Sequence, residues 1–234
     1  MSKRNAQLPL PLAAPRRWGG ARARAGRKPG RRPVVRHVRR AAFRRLPAHV
    51  TLRLESGLPF LRDVRVVREL ERTFAAGCDR RDFRLVHYSL LGNHAHLIVE
   101  AQDRDALGRG MKAIGVRLAR AVNRIAGRSG RVLADRYHHR VLPTPREVHR
   151  ALRYVLLNAR HHTATVRKVL NETVRLDPAS SARWFDGWKR KATLTSGATS
   201  AASHRPPPVA RARTWLLNVG WRRHGLLDPA DVPG

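Results

Sequence analysis

The chain has 234 residues and a formal net charge of +33, from 49 Lys and Arg against 16 Asp and Glu. Such an excess opposes a compact state unless a polyanion neutralises it, so nucleic acid is the expected partner. Its lone cysteine, Cys78, excludes a disulfide framework or a multi-cysteine zinc site within one chain. No apolar run is long enough for a membrane span, and we expect a cytoplasmic, nucleoid-associated protein.

Residues 1–45 contain 15 Lys and Arg and no acidic residue. Because they offer few apolar side chains for burial, they are predicted to form a disordered basic arm. A short Gly-Arg-Lys-Pro stretch could lie in a DNA minor groove, as other arginine arms do. The candidate DNA contacts in this arm are Arg27, Lys28, Arg31 and Arg32. A generic basic tail is an equally good interpretation.

Seven elements are predicted after the arm, in the order β-α-β-β-α-β-α. Strands are indicated by alternating or continuous apolar residues, and helices by apolar residues three or four apart. Along the chain these are a strand at 49–54, a helix capped by Asp63, strands at 84–90 and 94–100, a helix at 107–125, a strand at 132–142 and a helix after Thr144. Thr144-Pro145-Arg146-Glu147 is a capping box with proline at the first helical position. The order predicts an α+β fold, a ferredoxin-like split βαβ antiparallel sheet with one extra helix.

The remaining boundaries follow from composition. A catalytic domain is predicted at 46–165, a docked segment at 166–190, a flexible linker rich in Ala, Ser, Thr and Pro at 191–209, and a short helix with a tail at 210–234.

His94 and His96 flank Ala95 at the start of an apolar strand. Residues two apart on a strand point to the same face, so both imidazoles aim at one point, as metal ligands must. Unpaired imidazoles are costly to bury, which favours a ligand role. The alternative is two hydrogen-bonded histidines at a sheet surface.

Tyr154 and Asn158 are four residues apart on the last predicted helix and share a face. This face is offset by roughly 100° from the apolar stripe, which places Tyr154 at the edge of the packed surface. The alternative is a tyrosine that anchors the helix through its ring, with its hydroxyl in water.

Together these groups fit one reaction. A divalent cation held by His94, His96 and the Asn158 amide oxygen can polarise a phosphodiester, and Tyr154 can attack phosphorus to form a phosphotyrosine. A free phenol has a pKa of about 10, so a nearby cation helps to form the phenolate. The tyrosyl ester retains the bond energy, and a DNA 3′-hydroxyl can reverse the attack without ATP. Imidazole and amide ligands suit Mg²⁺ or Mn²⁺.

The run from Leu91 to Leu97 resembles the metal-binding strand of single-tyrosine HUH transposases, where U is a bulky or apolar residue. The run from Arg153 to Asn158 resembles the tyrosine helix of their REP-associated branch, and the resemblance covers about residues 47–162. It implies an HUH-type fold with a tyrosine-bearing helix, metal ligands at His94, His96 and Asn158, and a nucleophile at Tyr154. The implied activity is cleavage and rejoining of single-stranded DNA at hairpins through a 5′-phosphotyrosine, by a homodimer.

The sequence departs from the family at three places. Leu91-Gly92-Asn93 stands where Met-Pro-Asn is frequent, Ala159 stands where proline is frequent, and Ala95 is smaller than the usual middle residue of the histidine pair. The first two changes remove no reactive group. DNA transposition and a domesticated function derived from it both stay open.

Tyr137 is the rival nucleophile, but it lacks an amide four residues later. It is interpreted as a strand residue, and the candidate DNA contacts nearby and beside Tyr154 are Arg136, Arg140 and Arg153. His138 and His139 point to opposite strand faces and cannot chelate as a pair. Two other functions stay open: a non-catalytic basic RNA- or DNA-binding protein with a ferredoxin-like fold, and a metallohydrolase that uses water in place of tyrosine.

Overall fold

The computed structural model describes residues 45–163, 175–189, 193–194 and 207–231. All of them belong to one compact unit, Ala41–Gly234. The predicted arm, with Arg27, Lys28, Arg31 and Arg32, lies outside the described residues, as does most of the predicted linker. Within the described ranges, none of the helices combines the length and the apolar character that a bilayer crossing requires.

Seven elements form the body of the fold in the predicted order. They are β1 (Pro47–Arg53), α1 (Val64–Ala75), β2 (Phe83–Leu90), β3 (His94–Ala101), α2 (Arg104–Ile125), β4 (His138–Val141) and α3 (Pro145–Thr163). The prediction of a strand over 132–142 was too long. Only 138–141 pair regularly with β1, and the preceding stretch makes an isolated bridge between Leu133 and Leu54, just beyond the end of β1.

The four strands form one antiparallel sheet with the order β2-β3-β1-β4. The α+β class is therefore confirmed, and the strand order agrees with the split βαβ arrangement. Because β1 pairs with β3, its side chains lie directly beside those of the histidine strand.

The two faces of this sheet differ in polarity. The face under α1 and α2 is apolar, with Ala48, Val50, Leu52, Leu85, Leu97 and Val99 buried in it. The face under α3 contains Val86 and Ile98. It also carries the alternate positions of β1 and β3, which are His49, Thr51, His94 and His96. Because successive side chains of a strand point to opposite faces, one face of the sheet carries the apolar core and the other carries the polar site.

Helices α1 and α3 begin where the sequence predicted, whereas α2 begins at Arg104. The Asp63 carboxylate accepts hydrogen bonds from the backbone N–H groups of Arg65 (2.9 Å) and Val66 (3.4 Å) at the start of α1. Thr144 Oγ1 accepts from the Glu147 N–H (3.2 Å) at the start of α3 and donates to the Glu147 carboxylate (3.0 Å). Each cap satisfies donors that have no partner inside the helix.

Gly110 marks a close approach of α2 to the sheet, because a Cβ there would overlap the ring of Phe83. Gly110→Ala is expected to lower the free energy of unfolding by about 1–3 kcal/mol through overpacking, despite the higher helix propensity of alanine. Thermal denaturation measures the change. Gly108→Ala is the matched control on the same helix, since a Cβ there meets nothing within 4 Å. Equal melting temperatures for the two variants would contradict this packing.

The C-terminal part docks on the sheet through a buried carboxylate. It contains β5 (Arg175–Leu176) paired in parallel with β6 (Thr193–Leu194), a 3₁₀ turn at Ser181–Trp184, α4 (Trp215–Asn218) and a 3₁₀ turn at Gly220–His224. Glu100 accepts hydrogen bonds from the N–H groups of Arg213 (2.9 Å) and Thr214 (2.8 Å) and from the Thr214 hydroxyl (2.7 Å). These bonds hold the start of α4 against the end of β3.

His87 is buried on β2 beneath the turn at Ser181–Trp184. Its Nδ1 lies 3.2 Å from Ser181 Oγ, and its ring meets Phe185 edge-on at 5.4 Å between centroids. Burial lowers the pKa of His87 from 6.5 to about 4, and Asp186 opposes this only in part. The folded protein therefore holds this imidazole neutral at neutral pH.

We expect the free energy of unfolding to fall as the pH drops from 6.5 towards 4. In this window the unfolded chain binds a proton at His87 that the folded chain does not, so protonation favours unfolding. A pKa lowered from 6.5 to about 4 corresponds to about 3 kcal/mol at full effect. Denaturant titrations across the window measure the slope. His87→Gln should make the slope shallower without removing it, because the pKa of His49 is lowered over the same range. His138→Gln, at an exposed position, is the control and should leave the slope as it is; an unchanged slope in His87→Gln would contradict the assignment.

Candidate active site

The two histidines of β3 project from the same face of the sheet. Their ring centroids are 5.0 Å apart and their planes are nearly perpendicular, at 87°. His96 is buried, with 6 % of its surface exposed, and His94 is half-buried at the start of the strand. His94 is therefore the more exposed member of the pair.

Tyr154 reaches this pair from α3. Its hydroxyl lies 3.4 Å from Nε2 of His96, and the two ring centroids are 5.1 Å apart. The ring is partly buried against the core that α3 forms with the sheet. The structure therefore brings Tyr154 and His96 together and directs the phenol oxygen towards the histidine pair.

His49 is a third imidazole of the site, and the sequence analysis did not single it out. Its Nε2 lies 3.1 Å from Nδ1 of His96, and its ring lies 5.7 Å from that of Tyr154. Thr51 Oγ1 lies 3.2 Å from the same Nδ1. The alternation of His49 and Thr51 with Val50 and Leu52, combined with the pairing of β1 and β3 in a split βαβ sheet, is the signal that could have revealed it.

The Nδ1 atoms of both β3 histidines are held by protein neighbours. His96 Nδ1 faces His49 and Thr51, and His94 Nδ1 lies 2.9 Å from the Asn93 side-chain oxygen. Ligand histidines are commonly oriented in this way, because a bond at one ring nitrogen fixes the tautomer and directs the other nitrogen at the metal.

The neutral form of His49 suits this arrangement. Burial, assisted by the positive charge of Arg140, lowers the pKa of His49 from 6.5 to about 4. A neutral His49 can accept a hydrogen bond at Nε2 from the N–H group at Nδ1 of His96. In that tautomer, the lone pair of His96 is on Nε2. That lone pair is the one that faces Tyr154.

Asn158 is completely buried on α3, one turn after Tyr154. Neither its amide oxygen nor its amide nitrogen has a hydrogen-bond partner within the part of the chain that the structure describes. Burying an amide in this state costs about 1–3 kcal/mol. An unsatisfied buried group calls for an explanation, and a bound ion or water is one of the usual ones.

The donor set fits a divalent cation of the Mg²⁺ or Mn²⁺ type. Among the described residues no three His, Cys, Asp or Glu side chains are grouped as a metal site. A cation at His94 and His96 would therefore depend on a carboxamide such as Asn158, or on water, for its further ligands. Such nitrogen and oxygen ligands are the kind these metals accept.

The predicted DNA contacts among the described residues lie on β4, on α3 and in the loop before β4. Arg140 pairs with Glu147 at 2.9 Å and Arg153 with Asp231 at 3.4 Å, and Arg136 is exposed just before β4. Tyr137, the rival nucleophile, packs against the core formed with α1 and α2, whereas Tyr154 packs against the α3 core. The two phenols therefore contact different cores.

Comparisons with known proteins give limited similarity. No family model and no curated protein matches the chain. Among solved structures, it is similar to a REP-associated tyrosine transposase bound to a REP hairpin, with 15 % sequence identity and a TM-score of 0.44. That match covers 55 % of this chain and 74 % of the other. At this level the likeness carries no argument about activity, and the function must be inferred from the residues of the site.

Proposed function

We propose that this protein is a metal-dependent, transposase-like enzyme that cleaves and rejoins single-stranded DNA at hairpins through a 5′-phosphotyrosine. The observation that supports this best is the 3.4 Å contact between the Tyr154 hydroxyl and Nε2 of His96. Phosphodiester transfer needs a nucleophile and metal ligands, and this basic protein has a phenol and two imidazoles that can serve in these roles.

In the proposed reaction, Tyr154 supplies the attacking oxygen. The phenol gives up its proton to water and its oxygen bonds to phosphorus. The bond from phosphorus to the 3′-oxygen breaks, and that oxygen takes up a proton to leave as a 3′-hydroxyl. The downstream strand stays attached to Tyr154 through its 5′-phosphate. Attack by a 3′-hydroxyl on the tyrosyl ester reverses these steps and rejoins DNA without an external energy source.

His94, His96 and Asn158 would hold Mg²⁺ or Mn²⁺, which when bound stabilises negative charge on the phosphate and on the phenolate. His49 and Thr51 orient His96 by contacting its Nδ1, and Asn93 does the same for His94. The Nε2 lone pair of His96 can accept the phenol proton or bind a cation, but not both at once. Tyr154 would therefore be free of its contact with His96 whenever His96 served as a metal ligand.

The test uses the full chain and a synthetic DNA hairpin with unpaired flanks and a different fluorophore at each end. With Mn²⁺, the 3′-terminal fluorophore should migrate with the protein on a denaturing gel, and the 5′-terminal fluorophore should appear on a shorter free strand. EDTA should prevent both products, since the reaction needs the cation.

The alternative functions give different products in the same assay. Cleavage without a covalent species would indicate a hydrolase that uses water. Binding with no cleavage in Mn²⁺ or Mg²⁺ would indicate a non-catalytic nucleic-acid-binding protein. The proposal includes a homodimer that acts on two DNA ends in the nucleoid, and light scattering of the free and DNA-bound protein tests that part separately.

A further inference from the structure

Phe60 lies in the loop between β1 and α1, and 71 % of its surface is exposed. The next residue, Leu61, is completely buried in the core. The loop is therefore anchored by one side chain while the adjacent aromatic ring faces outwards. The exposed ring offers an aromatic face to another molecule.

This ring lies beside the turn that leads into the histidine strand. The N–H of Leu61 donates to the carbonyl of Gly92 at 2.9 Å, and the Phe60 ring lies 3.3 Å from where a Cβ on Gly92 would be. Gly92 precedes His94 by two residues, a chain distance of at most about 7 Å. Phe60 and His94 therefore lie at the same end of the sheet.

Arg53 adds a basic side chain to the surface formed by Phe60 and His94. Arg53 stands directly opposite His94 in the pairing of β1 with β3, and directly opposite residues point to the same face. Arg53 is exposed and, within the described ranges, makes no ion pair. The acids nearby are each paired with another arginine: Glu55 with Arg131, Asp63 with Arg65 and Asp177 with Arg62. The charge left beside the ring is positive.

We propose that Phe60 stacks on an unpaired base of a single-stranded nucleic acid whose backbone phosphate is bound by Arg53 beside His94. Recognition of single strands combines an exposed aromatic face with a basic group that holds the backbone, and this surface has both. A base inside a duplex already stacks on its neighbours, so the surface discriminates in favour of unpaired strands. The inference rests on the proposed function for its ligand, and it adds the residue that selects the unpaired flank of a hairpin.

The test measures the affinity of the full chain for a hairpin with an unpaired flank in which 2-aminopurine replaces one base at a time. Phe60→Ala should weaken binding of the flanked hairpin about 5- to 150-fold and remove the quenching of one 2-aminopurine position. Phe60→Trp should retain both, because it keeps the stacking face. Val64→Ala is the matched control: Val64 is also exposed, at 62 %, and lies four residues further along the chain, at the start of α1.

A fully paired duplex and a salt series separate the two parts of the surface. Binding of the duplex should be the same for Phe60→Ala and wild type. Arg53→Ala should reduce the salt dependence of binding, whereas Phe60→Ala should leave it unchanged. Equal loss on duplex and hairpin, or no loss on either, would overturn the proposal, as would a Phe60→Ala variant that loses only self-association. The adduct assay is independent of this outcome. If binding depends on Phe60 but no covalent protein–DNA adduct forms, the proposed activity is rejected and the proposed stacking role of Phe60 stands.

Discussion

Replacement of Tyr154 by phenylalanine is expected to reduce covalent protein–DNA adducts by roughly 10³-fold or more. Phenylalanine has no oxygen to attack phosphorus, while its ring can keep the packing that Tyr154 makes on the α3 core. Affinity for the hairpin should therefore change little. The measurement is the two-fluorophore gel described above, with a binding titration of the same variant.

Tyr137→Phe is the matched control for this variant. It removes the hydroxyl of the rival phenol, which packs against the other core of the protein, and adduct formation should stay at the wild-type level. Adducts that persist in Tyr154→Phe but disappear in Tyr137→Phe would assign the nucleophile to Tyr137. Adducts that persist in both variants would reject a tyrosine at either position.

Asn158→Leu is expected to increase stability and to abolish metal-dependent activity. Asn158 is completely buried with both amide atoms unpaired among the described residues, and leucine has the same branching without polar atoms. Removing the unsatisfied amide should raise the free energy of unfolding of the metal-free protein by about 1–3 kcal/mol. Loss of the amide oxygen should at the same time weaken Mn²⁺ binding, which calorimetry or electron paramagnetic resonance measures without DNA.

Asn158→Asp tests the same role with a different ligand, because a carboxylate also offers oxygen to a cation. Without metal, the buried charge should lower the melting temperature. With Mn²⁺ the melting temperature should recover, since a ligand that binds only the folded state stabilises it. A lower melting temperature in Asn158→Leu, together with unchanged Mn²⁺ affinity, would assign the amide a purely structural role.

The local parts of the fold were predictable because their causes are local. The Asp63 cap and the Thr144 capping box define helix starts through bonds to residues two or three positions away. The alternation around His94 and His96 determines that they share a face, whatever the sheet looks like. The short extent of β4 was not predictable, since a strand extends only as far as it pairs with a partner, and its partner β1 is distant in sequence.

Contacts between distant segments were the other part that the sequence could not provide. The bonds from Glu100 to the backbone of Arg213 and Thr214 join residues more than a hundred positions apart. The exposure of Phe60 beside Gly92 depends equally on how a loop meets a turn from another part of the chain. Neither of these contacts has a periodic or capping pattern in the sequence from which it could be predicted.

By itself, the sequence determined the excess of positive charge, the order of strands and helices, and which side chains share a face of β3 or α3. Tertiary structure alone decided that Tyr154 of α3 faces His96 and that His49 and Thr51 of β1 hold the same imidazole. The reason is physical: periodicity and caps act over a few residues, whereas a site is assembled by strand pairing and helix packing between segments that chain spacing does not bring together.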